Sequence, residues 1–530
     1  MRGVTHFFIR SSRRIIIYRC IWSRVLLQAT ELMLFQIRPT FLSQCLRNYS
    51  ATKLATKYDA VIVGGGMVGF GLAAVAANSK LLGKKSILLL ESSPKNTYQY
   101  KEEYENRVVA LNDLSVNMLN NIGAWEFIRS HRAQPVNKMK VWETKSNFHL
   151  TFCRDPLAYI VENSLVIESL RKYLDSVQNS TNLTILYEAQ AKNIQLPSPN
   201  HPEQLVLLDV EQKTQEKCET VETDLLIGAD GFNSIVRKTA NIHTIGWNHS
   251  QKAIVATLRL KQVNEESVAW QRFLPTGPIA LLPLSKEYSS WYGVQLFLKL
   301  NGYLTKPSEE TSQLATVFSK IGQCFAGVID YFGSVENGVQ KASDENSLLS
   351  IPQVESIQLN TKRACYPLGF QHATFYSAPR LALVGDSAHR ILPLAGQGVN
   401  LGFGDVVCLV SHLEDAVSHG ADIGSAAYLK DYTNERQRIV IPLASTLEMI
   451  NLLYSTDAYC NQSISTFEKN ELLRNCKDSA ISRLVKNLLS DIRGAGMNTV
   501  QSSEVLKKFL MEVAVTGEIL SPSSGNTMIY

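Results

Sequence analysis

Three clusters of glycine and acidic residues, far apart on one chain of 530 residues, hold the side chains and backbone best suited to bind a large phosphorylated ligand. The first is Gly64-Gly65-Gly66-Met67-Val68-Gly69, in which Gly64, Gly66 and Gly69 fit the spacing GxGxxG. In such a motif the first glycine permits a tight turn and the second lets the backbone approach a pyrophosphate. The third lets a helix pack closely on a strand. Glu91 lies 22 residues beyond Gly69, where a carboxylate can accept from ribose hydroxyls. The second cluster is Gly228-Ala229-Asp230-Gly231, followed by Ser234 and Arg237. The third is Gly385-Asp386, leading through Pro393 into Gly396-Gln397-Gly398 and Asn400. Each could be turn chemistry in isolation, since Asp-Gly pairs are common in turns. Together they imply one long cofactor gripped by distant parts of the chain, and FAD is the cofactor expected.

The elements around the clusters suit that task. Tyr58–Val63 is a short apolar, β-branched run, expected as a buried parallel strand. Met67–Leu82 is rich in alanine and leucine and is expected as a helix, whose N-terminus offers unpaired N–H groups to phosphate. Ser86–Leu90, Asp224–Ala229 and Arg380–Val384 are expected as further strands that deliver Glu91, Asp230 and Asp386 at their carboxyl ends, where open α/β sheets bind ligands. The segment Val399–Leu413 reads as a helix interrupted in pattern by Gly402 and Gly404. Its N-terminus is placed to stabilise negative charge on a flavin ring.

At this level of detail the chain resembles the class A flavoprotein aromatic hydroxylases, and within them the ubiquinone-biosynthesis hydroxylases. The stretches that carry the resemblance are Tyr58–Gly69, Arg107–Trp125, Tyr159–Leu170, Leu225–Arg237, Phe273–Leu284 and Gly385–Asp405. The resemblance implies an α/β fold: a Rossmann-like FAD-binding domain of para-hydroxybenzoate hydroxylase type with an inserted antiparallel-sheet substrate domain. The expected limits are 57–241 and 362–455 for the FAD-binding parts, 242–361 for the substrate domain and 456–530 for a helical C-terminal region. Alternating runs at Ala253–Leu260, Ile279–Leu284 and Ser290–Leu298 fit the inserted sheet. The segment Glu336–Ser347 reads as a polar loop and Ser521–Tyr530 as a disordered end.

The resemblance also implies roles. Arg107 should lie against the flavin, Asp386 should hold the ribitol and Asp230 should contact the pyrophosphate side. Gly64, Gly66, Gly69, Glu91, Gly385, Gly398 and Asn400 complete the expected cofactor contacts, with Pro393, Gly396, Gln397 and Gly398 forming the flavin-side wall of the chamber. In this family reduced FAD reacts with oxygen to a C4a-hydroperoxide, whose distal oxygen an electron-rich phenol attacks. The implied reaction is hydroxylation at C5 of a polyprenylated 4-hydroxybenzoate-type ring. Molecular oxygen is the co-substrate, a ferredoxin/ferredoxin reductase pair the implied electron donor and a ubiquinone-biosynthesis multiprotein complex the implied setting. No protein nucleophile is required. His389 invites assignment as a base, but a structural hydrogen bond is the expected role.

Residues 1–50 contain eight arginines, one glutamate (Glu31) and no lysine or aspartate. This is the composition of an amphipathic organelle-targeting leader, and Arg47-Asn48-Tyr49-Ser50 resembles a mitochondrial processing site. The leader's charge of +7, against +5 for the whole chain, leaves a body of about −2, which offers no basic face to nucleic acid. The expected location is the matrix side of the inner membrane, held peripherally. The apolar stripe Ile481, Leu484, Val485, Leu488 and Ile492 is a candidate for the membrane or partner contact, although core packing is the default meaning of such a stripe. The nine cysteines show neither CxxC nor a His/Cys metal spacing, so no metal site is expected.

Two other function classes share this fold. One is a prenyl reductase or epoxidase on the same fold. The other is a non-catalytic prenyl-protein escort relative, which has no need of intact flavin motifs.

Overall fold

The computed structural model of the chain describes residues 55–95, 100–143, 149–198, 200–213, 217–260, 266–274, 277–294, 354–357 and 364–467, with residues 500, 502 and 503. The expectations for residues 1–50, 336–347, 481–492 and 521–530 lie outside the described residues.

β1 (Thr56–Val63) ends in four buried residues and runs through Gly64–Gly66 into α1 (Met67–Asn78). α1 buries Phe70, Leu72, Ala73, Ala74 and Ala76 and packs against other helices as well as the sheet, as an apolar helix must. β2 (Ile87–Leu90) is wholly buried. There follow β3 (Val108–Leu111), α2 (Asp113–Asn121), α3 (Trp125–His131), β4 (Gln134–Glu143), β5 (His149–Glu162) and α4 (Asn163–Val177). Next come β6 (Leu183–Leu186), β7 (Ala189–Gln195), β8 (Val206–Gln212), β9 (Lys217–Gly228) and the short helix α5 (Ile235–Thr239). β10 (Thr244–Leu260), β11 (Val268–Leu274), β12 (Gly277–Pro283), β13 (Tyr288–Val294) and β14 (Val354–Ile357) then lead to β15 (Ala364–Ala373). The last of these elements are β16 (Ser377–Ala378), β17 (Leu381–Leu383), β18 (His389–Arg390), α6 (Gln397–Ser418) and the long helix α7 (Ala426–Phe467).

Two sheets organise these elements. The first has the order β16-β17-β9-β1-β2-β6, with β7 and β8 joined to β9 as an antiparallel meander. Its pairs β1·β2, β2·β6 and β9·β17 are parallel. Parallel strands need both faces covered, so their runs are nearly continuous in apolar residues, as in Ile87–Leu90. The strand order places β9 beside β1, with β17 on its far side, although more than 150 residues separate β1 from β9 in sequence.

The second sheet has the order β18-β15-β10-β13-β12-β11-β4-β5-β3, with β14 also on β10. It is antiparallel except for β4·β11. It draws strands from well outside residues 242–361: β3, β4 and β5 come from the first third of the chain, and β15 and β18 from beyond 361. A strand's membership is set by its edge partners and not by its place in the sequence, so the two sheets interleave along the chain. Trp142, Ile254, Leu258, Val268, Trp270 and Ile279 form the core on one side of this sheet. Leu368, Leu392, Leu401, Val440, Leu443 and Leu447 join the sheet to α6 and α7.

Gly402 and Gly404, which weaken the helical pattern in sequence, lie inside α6 for packing reasons. A Cβ on Gly402 would stand 2.6 Å from Cγ2 of Val68 in α1, and one on Gly404 would stand 2.8 Å from Nη2 of Arg436 in α7. Helix α6 thus runs against both neighbours at a distance only glycine allows. Val68 is β-branched and has little rotameric freedom to retreat. Gly402→Ala is therefore expected to destabilise the fold by about 1–3 kcal/mol through overpacking. Adding Val68→Ala should restore most of the loss, because the clash is between those two side chains. Urea unfolding of the two single variants and the double variant checks this; strictly additive losses would contradict it.

Candidate functional site

The carboxyl ends of four neighbouring strands gather the three sequence clusters. β1 leads directly into Gly64, β2 into Glu91, β9 through Ala229 into Asp230 and β17 through Val384 into Gly385-Asp386. Gly64 has φ +107°, and a Cβ there would lie 2.4 Å from the Ala229 carbonyl oxygen, so the first and second clusters abut. A Cβ on Gly69 would lie 1.8 Å from the Gly64 oxygen, which is the close helix–strand approach the third glycine of the motif serves. Gly66 is exposed, and a Cβ on it would meet no described protein atom within 4 Å.

The first turn of α1 has no side-chain cap and no acidic residue. Its first N–H groups therefore have no capping side chain among the described residues, which is the arrangement that suits a phosphate. In α2 and α5, by contrast, Asn112 and Ser234 cap the amides of Ser115 and Arg237. Glu91 is oriented by the protein: Oε2 accepts from the Gly65 N–H at 2.7 Å and Oε1 from the Ser93 N–H at 2.7 Å. Each oxygen keeps lone-pair capacity for a ligand hydroxyl.

Asp230 is turned inward on one side. Its Oδ2 accepts from the Ile235 N–H at 2.6 Å, while the buried Oδ1 has no partner among the described atoms. Arg237 is buried and ties the second cluster to the third, donating to the Ser387 carbonyl at 2.6 Å and to the Phe232 carbonyl at 2.6 Å. Ser387 in turn donates to the Gly228 carbonyl. Asp386 is open to solvent yet surrounded by protein, so it lines a concavity. That desolvation raises its carboxyl pKa, outweighing the pull of His389 and Arg390.

The wall beyond Asp386 is the turn Pro393–Ala395 and the start of α6. Gly396 adopts φ +63°, packs on Ala110 and caps α6 without a side chain. Gly398 presents open space where a Cβ would meet no described protein atom within 4 Å. Gln397 is buried. Asn400, expected among the cofactor contacts, spends its amide on the protein. Its Oδ1 accepts from Ser115 Oγ at 2.6 Å and the Asn112 N–H at 3.2 Å, and its Nδ2 donates to the Ala110 carbonyl at 2.9 Å and Gln397 Oε1 at 3.3 Å. Its work is to hold α6 on β3 and α2. Arg107 is exposed at the entry to β3. Burial pushes the Tyr366 phenol on β15 up to about 12, and the Arg107 charge pulls against that shift. Arg107 and Tyr366 are thus near one another although β3 and β15 stand toward opposite edges of the second sheet.

Behind this surface lies a network that motif spacing does not reveal. Asp405, wholly buried on α6, accepts from the Gly385 N–H at 2.8 Å, from Arg436 Nε at 2.7 Å and from His389 Nε2 at 2.6 Å. Burial opposes ionisation of Asp405, but the charges of His389 and Arg436 and their hydrogen bonds win, and its pKa falls below the usual carboxylate range. His389 is therefore held by a structural hydrogen bond. Beside it, burial and the charge of His389 lower the pKa of His372 from 6.5 to about 4. A neutral His372 accepts through Nε2 from the Tyr376 hydroxyl at 2.8 Å. One signal in the sequence could have found Asp405: it sits among Leu401, Phe403, Val406 and Leu409, on a helix whose neighbouring positions are core.

The open ground in front of Gly66 and Gly398, the unpartnered Asp230 oxygen and the concave setting of Asp386 fit an extended dinucleotide with a flat ring at one end. They offer N–H groups to phosphate and acidic oxygens to sugar hydroxyls.

Comparisons with known proteins agree. A family model described as an FAD binding domain matches residues 57–321 and 345–445. The protein named Ubiquinone biosynthesis monooxygenase COQ6, mitochondrial, from Xenopus tropicalis is 38% identical over 421 residues, covering 75% of this chain and 86% of that one. The Homo sapiens protein of the same name is 37% identical over 434 residues, covering 78% and 88%. Among solved structures, p-nitrophenol 4-monooxygenase PnpA from Pseudomonas putida DLL-E4 superposes with TM-score 0.56 at 15% identity, covering 86% of this chain and 97% of its own. The flavin-dependent monooxygenase PieE, solved with FAD and substrate, gives 0.55 at 16% identity, covering 84% and 72%. At such identities the two structures show a shared fold.

The buried network generates two expectations. Asp405→Asn leaves the Arg436 charge uncompensated in the core and should cost about 3–5 kcal/mol of stability. Acidification should act in two stages. The folded-state pKa of His372 lies below its unfolded value, so stability is complete above pH 6.5 and is lost as pH falls from 6.5 toward about 4. Asp405, also depressed, adds a further loss below about pH 3.9, its unfolded value. Denaturant midpoints against pH test this: His372→Gln, which keeps an acceptor for Tyr376, should flatten the first stage. An unchanged slope in that variant would assign the acid sensitivity elsewhere.

Proposed function

Since this chain belongs to the ubiquinone biosynthesis monooxygenase family and carries its FAD-binding domain, we propose that it hydroxylates C5 of a polyprenylated 4-hydroxybenzoate-type ring. The observation that carries the site assignment is the convergence of Gly66, Glu91 and Asp386 at the carboxyl ends of the parallel strands, with no described protein atom within 4 Å of a Cβ on Gly66 or on Gly398 at the start of α6.

FAD, when bound, supplies the activation of molecular oxygen. The overall balance is one oxygen atom into the ring C–H bond and the other to water, with two electrons and two protons consumed. Gly64, Gly66, Gly69 and the first turn of α1 would hold the pyrophosphate, aided from the side of Asp230. Glu91 would take the ribose hydroxyls and Asp386, on the Gly385 turn, the ribitol. The first turn of α6, opened by Gly396 and Gly398, would face the ring and stabilise negative charge there. Arg107 would add a cation on the same side. Pro393 and the second sheet would form the walls that orient the phenol and exclude water. No nucleophilic triad is needed, and the buried His389 serves Asp405. A prenyl reductase, an epoxidase of another lipid or an escort protein is not favoured, because the relatives at this identity are monooxygenases of ubiquinone biosynthesis.

The arginine-rich residues 1–50 direct the chain into mitochondria, and the enzyme works on the matrix side of the inner membrane. Among the described residues no helix is long and apolar enough to cross a membrane. A polyprenyl tail is strongly insoluble, each buried CH₂ being favoured by about 0.8 kcal/mol. The tail therefore stays in lipid or in an apolar path while the ring reaches the flavin, which calls for a peripheral membrane contact or a docking partner within a biosynthetic complex. Electrons arrive from a ferredoxin and its reductase.

Three outcomes are expected. Asp386→Ala should bind FAD about 10- to 150-fold more weakly, since a charged hydrogen bond of roughly 1.5–3 kcal/mol is lost; unchanged flavin content after dilution would count against Asp386. Replacing Arg10, Arg13, Arg14 and Arg19 by Glu should leave the chain in the cytosol, as fractionation would show. Cells lacking the protein should accumulate a prenylated ring without its C5 hydroxyl, and the purified flavoprotein should insert labelled oxygen from O₂ at that position. Normal ubiquinone in those cells would refute the substrate assignment even with FAD bound.

A further inference from the structure

Outside the flavin site, helices α6 and α7 bring together three side chains that no step of the proposed reaction uses. Cys408 and His412 are one helical turn apart on the same face of α6, and Glu435 projects from α7. Their ligand atoms, Sγ of Cys408, a ring nitrogen of His412 and a carboxylate oxygen of Glu435, all lie within 4.8 Å of one another. His412 Nε2 already stands 3.0 Å from Glu435 Oε2. Cys408 is buried, while the His412 side chain is 19% exposed and that of Glu435 57% exposed. The group is therefore a shallow well with sulfur at its floor and an opening to solvent.

From this geometry we propose that Cys408, His412 and Glu435 form a binding site for a divalent transition metal ion, best matched to Zn²⁺. A tetrahedral Zn²⁺ takes thiolate sulfur at about 2.3 Å, imidazole nitrogen at about 2.0–2.1 Å and carboxylate oxygen at about 2.0–2.2 Å. Donors arranged so stand roughly 3.3–3.8 Å apart, a spread the three atoms reach with small rotamer changes. The donor set of soft sulfur, borderline nitrogen and hard oxygen suits Zn²⁺ better than Mg²⁺ or Ca²⁺, which prefer oxygen alone. A thiolate and a carboxylate together neutralise the ion. Coordination replaces the thiol proton of Cys408, which leaves to water, and breaks the contact between His412 and Glu435. The fourth position opens to solvent and takes water.

The site lies apart from the flavin. Cys408 is ten residues along α6 from Gly398, about 15 Å at 1.5 Å per residue. It adjoins the buried network instead: Glu435 precedes Arg436, whose guanidinium turns inward to Asp405. An ion here would staple α6 to α7 beside the contact that holds the Gly385 turn. The motif escapes a spacing search because the third donor comes from a different helix.

The test uses the purified flavoprotein, stripped of metal on a chelating resin, with Zn²⁺ and Co²⁺ as probes. Titration of Zn²⁺ against a chromophoric chelator should show one site. Cys408→Ser, His412→Gln and Glu435→Gln should each weaken it by at least about tenfold, with FAD content unchanged as the control for folding. Co²⁺ should give tetrahedral d–d bands at wavelengths beyond the flavin absorption, lost in each variant. Zn²⁺ should raise the melting temperature of the parent protein and not that of His412→Gln. If Cys408→Ser fails to fold, the two partly exposed positions decide the matter. Equal Zn²⁺ affinity in the parent and in His412→Gln and Glu435→Gln would overturn the proposal and assign any bound metal to other residues, as would the absence of binding by the parent.

Discussion

The carboxylate of Asp405 is the constraint on which the rest of the site depends. It is wholly buried, and both of its oxygens are satisfied by groups from separate parts of the chain: the Gly385 amide, His389 and Arg436. A buried charge is tolerable only when paired and hydrogen-bonded, and a pair so made is weak evidence for net stability. Its value here is geometric. The Gly385 turn, the strand β18 and the helices α6 and α7 can meet in only one register if Asp405 is to keep its partners. That register presents Asp386 outward from the turn whose amide Asp405 holds.

The surface where the three clusters meet is made mostly of backbone and of absent side chains. Gly64 and Gly69 let β1, β9 and α1 approach to distances a Cβ would forbid, while Gly66 and Gly398 leave room on the ligand side. These are two different uses of glycine on one motif. Polar side chains such as Glu91 and Asn400 are committed to the protein through at least one hydrogen bond before any ligand arrives. The site is thereby organised in advance, which suits a reaction in which a cofactor performs the chemistry and the protein supplies position and charge.

The two sheets share this arrangement unequally. The parallel sheet carries the strand ends at which the three clusters gather, and the larger antiparallel sheet closes over the start of α6 through Leu368, Leu392 and Leu401. Because strands β3–β5 belong to the larger sheet, the segment that bears Arg107 arrives with that sheet and not with the dinucleotide motif. The Gly396–Ala110 contact and the Asn400 hydrogen bonds then join the two halves where a flat ring would lie.

Much of this was legible in the sequence. The strand–turn–helix at Tyr58–Gly69, the carboxyl-end placement of Glu91, Asp230 and Asp386, and the helix after Gly396 follow from local pattern: apolar runs bounded by glycine, and glycine where the backbone needs positive φ. Such features depend on neighbours a few residues away, so spacing alone carries them. The interleaving of strands between the sheets, the role of Asn400 as a clasp, the packing reason for Gly402 and Gly404, the Asp405 network and the convergence of Cys408, His412 and Glu435 were decided by tertiary structure. Each joins residues from 4 to more than 300 positions apart, and what distinguishes them is who lies opposite and how little water remains between them. A carboxylate in a helix reads as surface until packing seals it against an arginine from the next helix. A glycine there reads as a weakness until a valine is found where its side chain would have been.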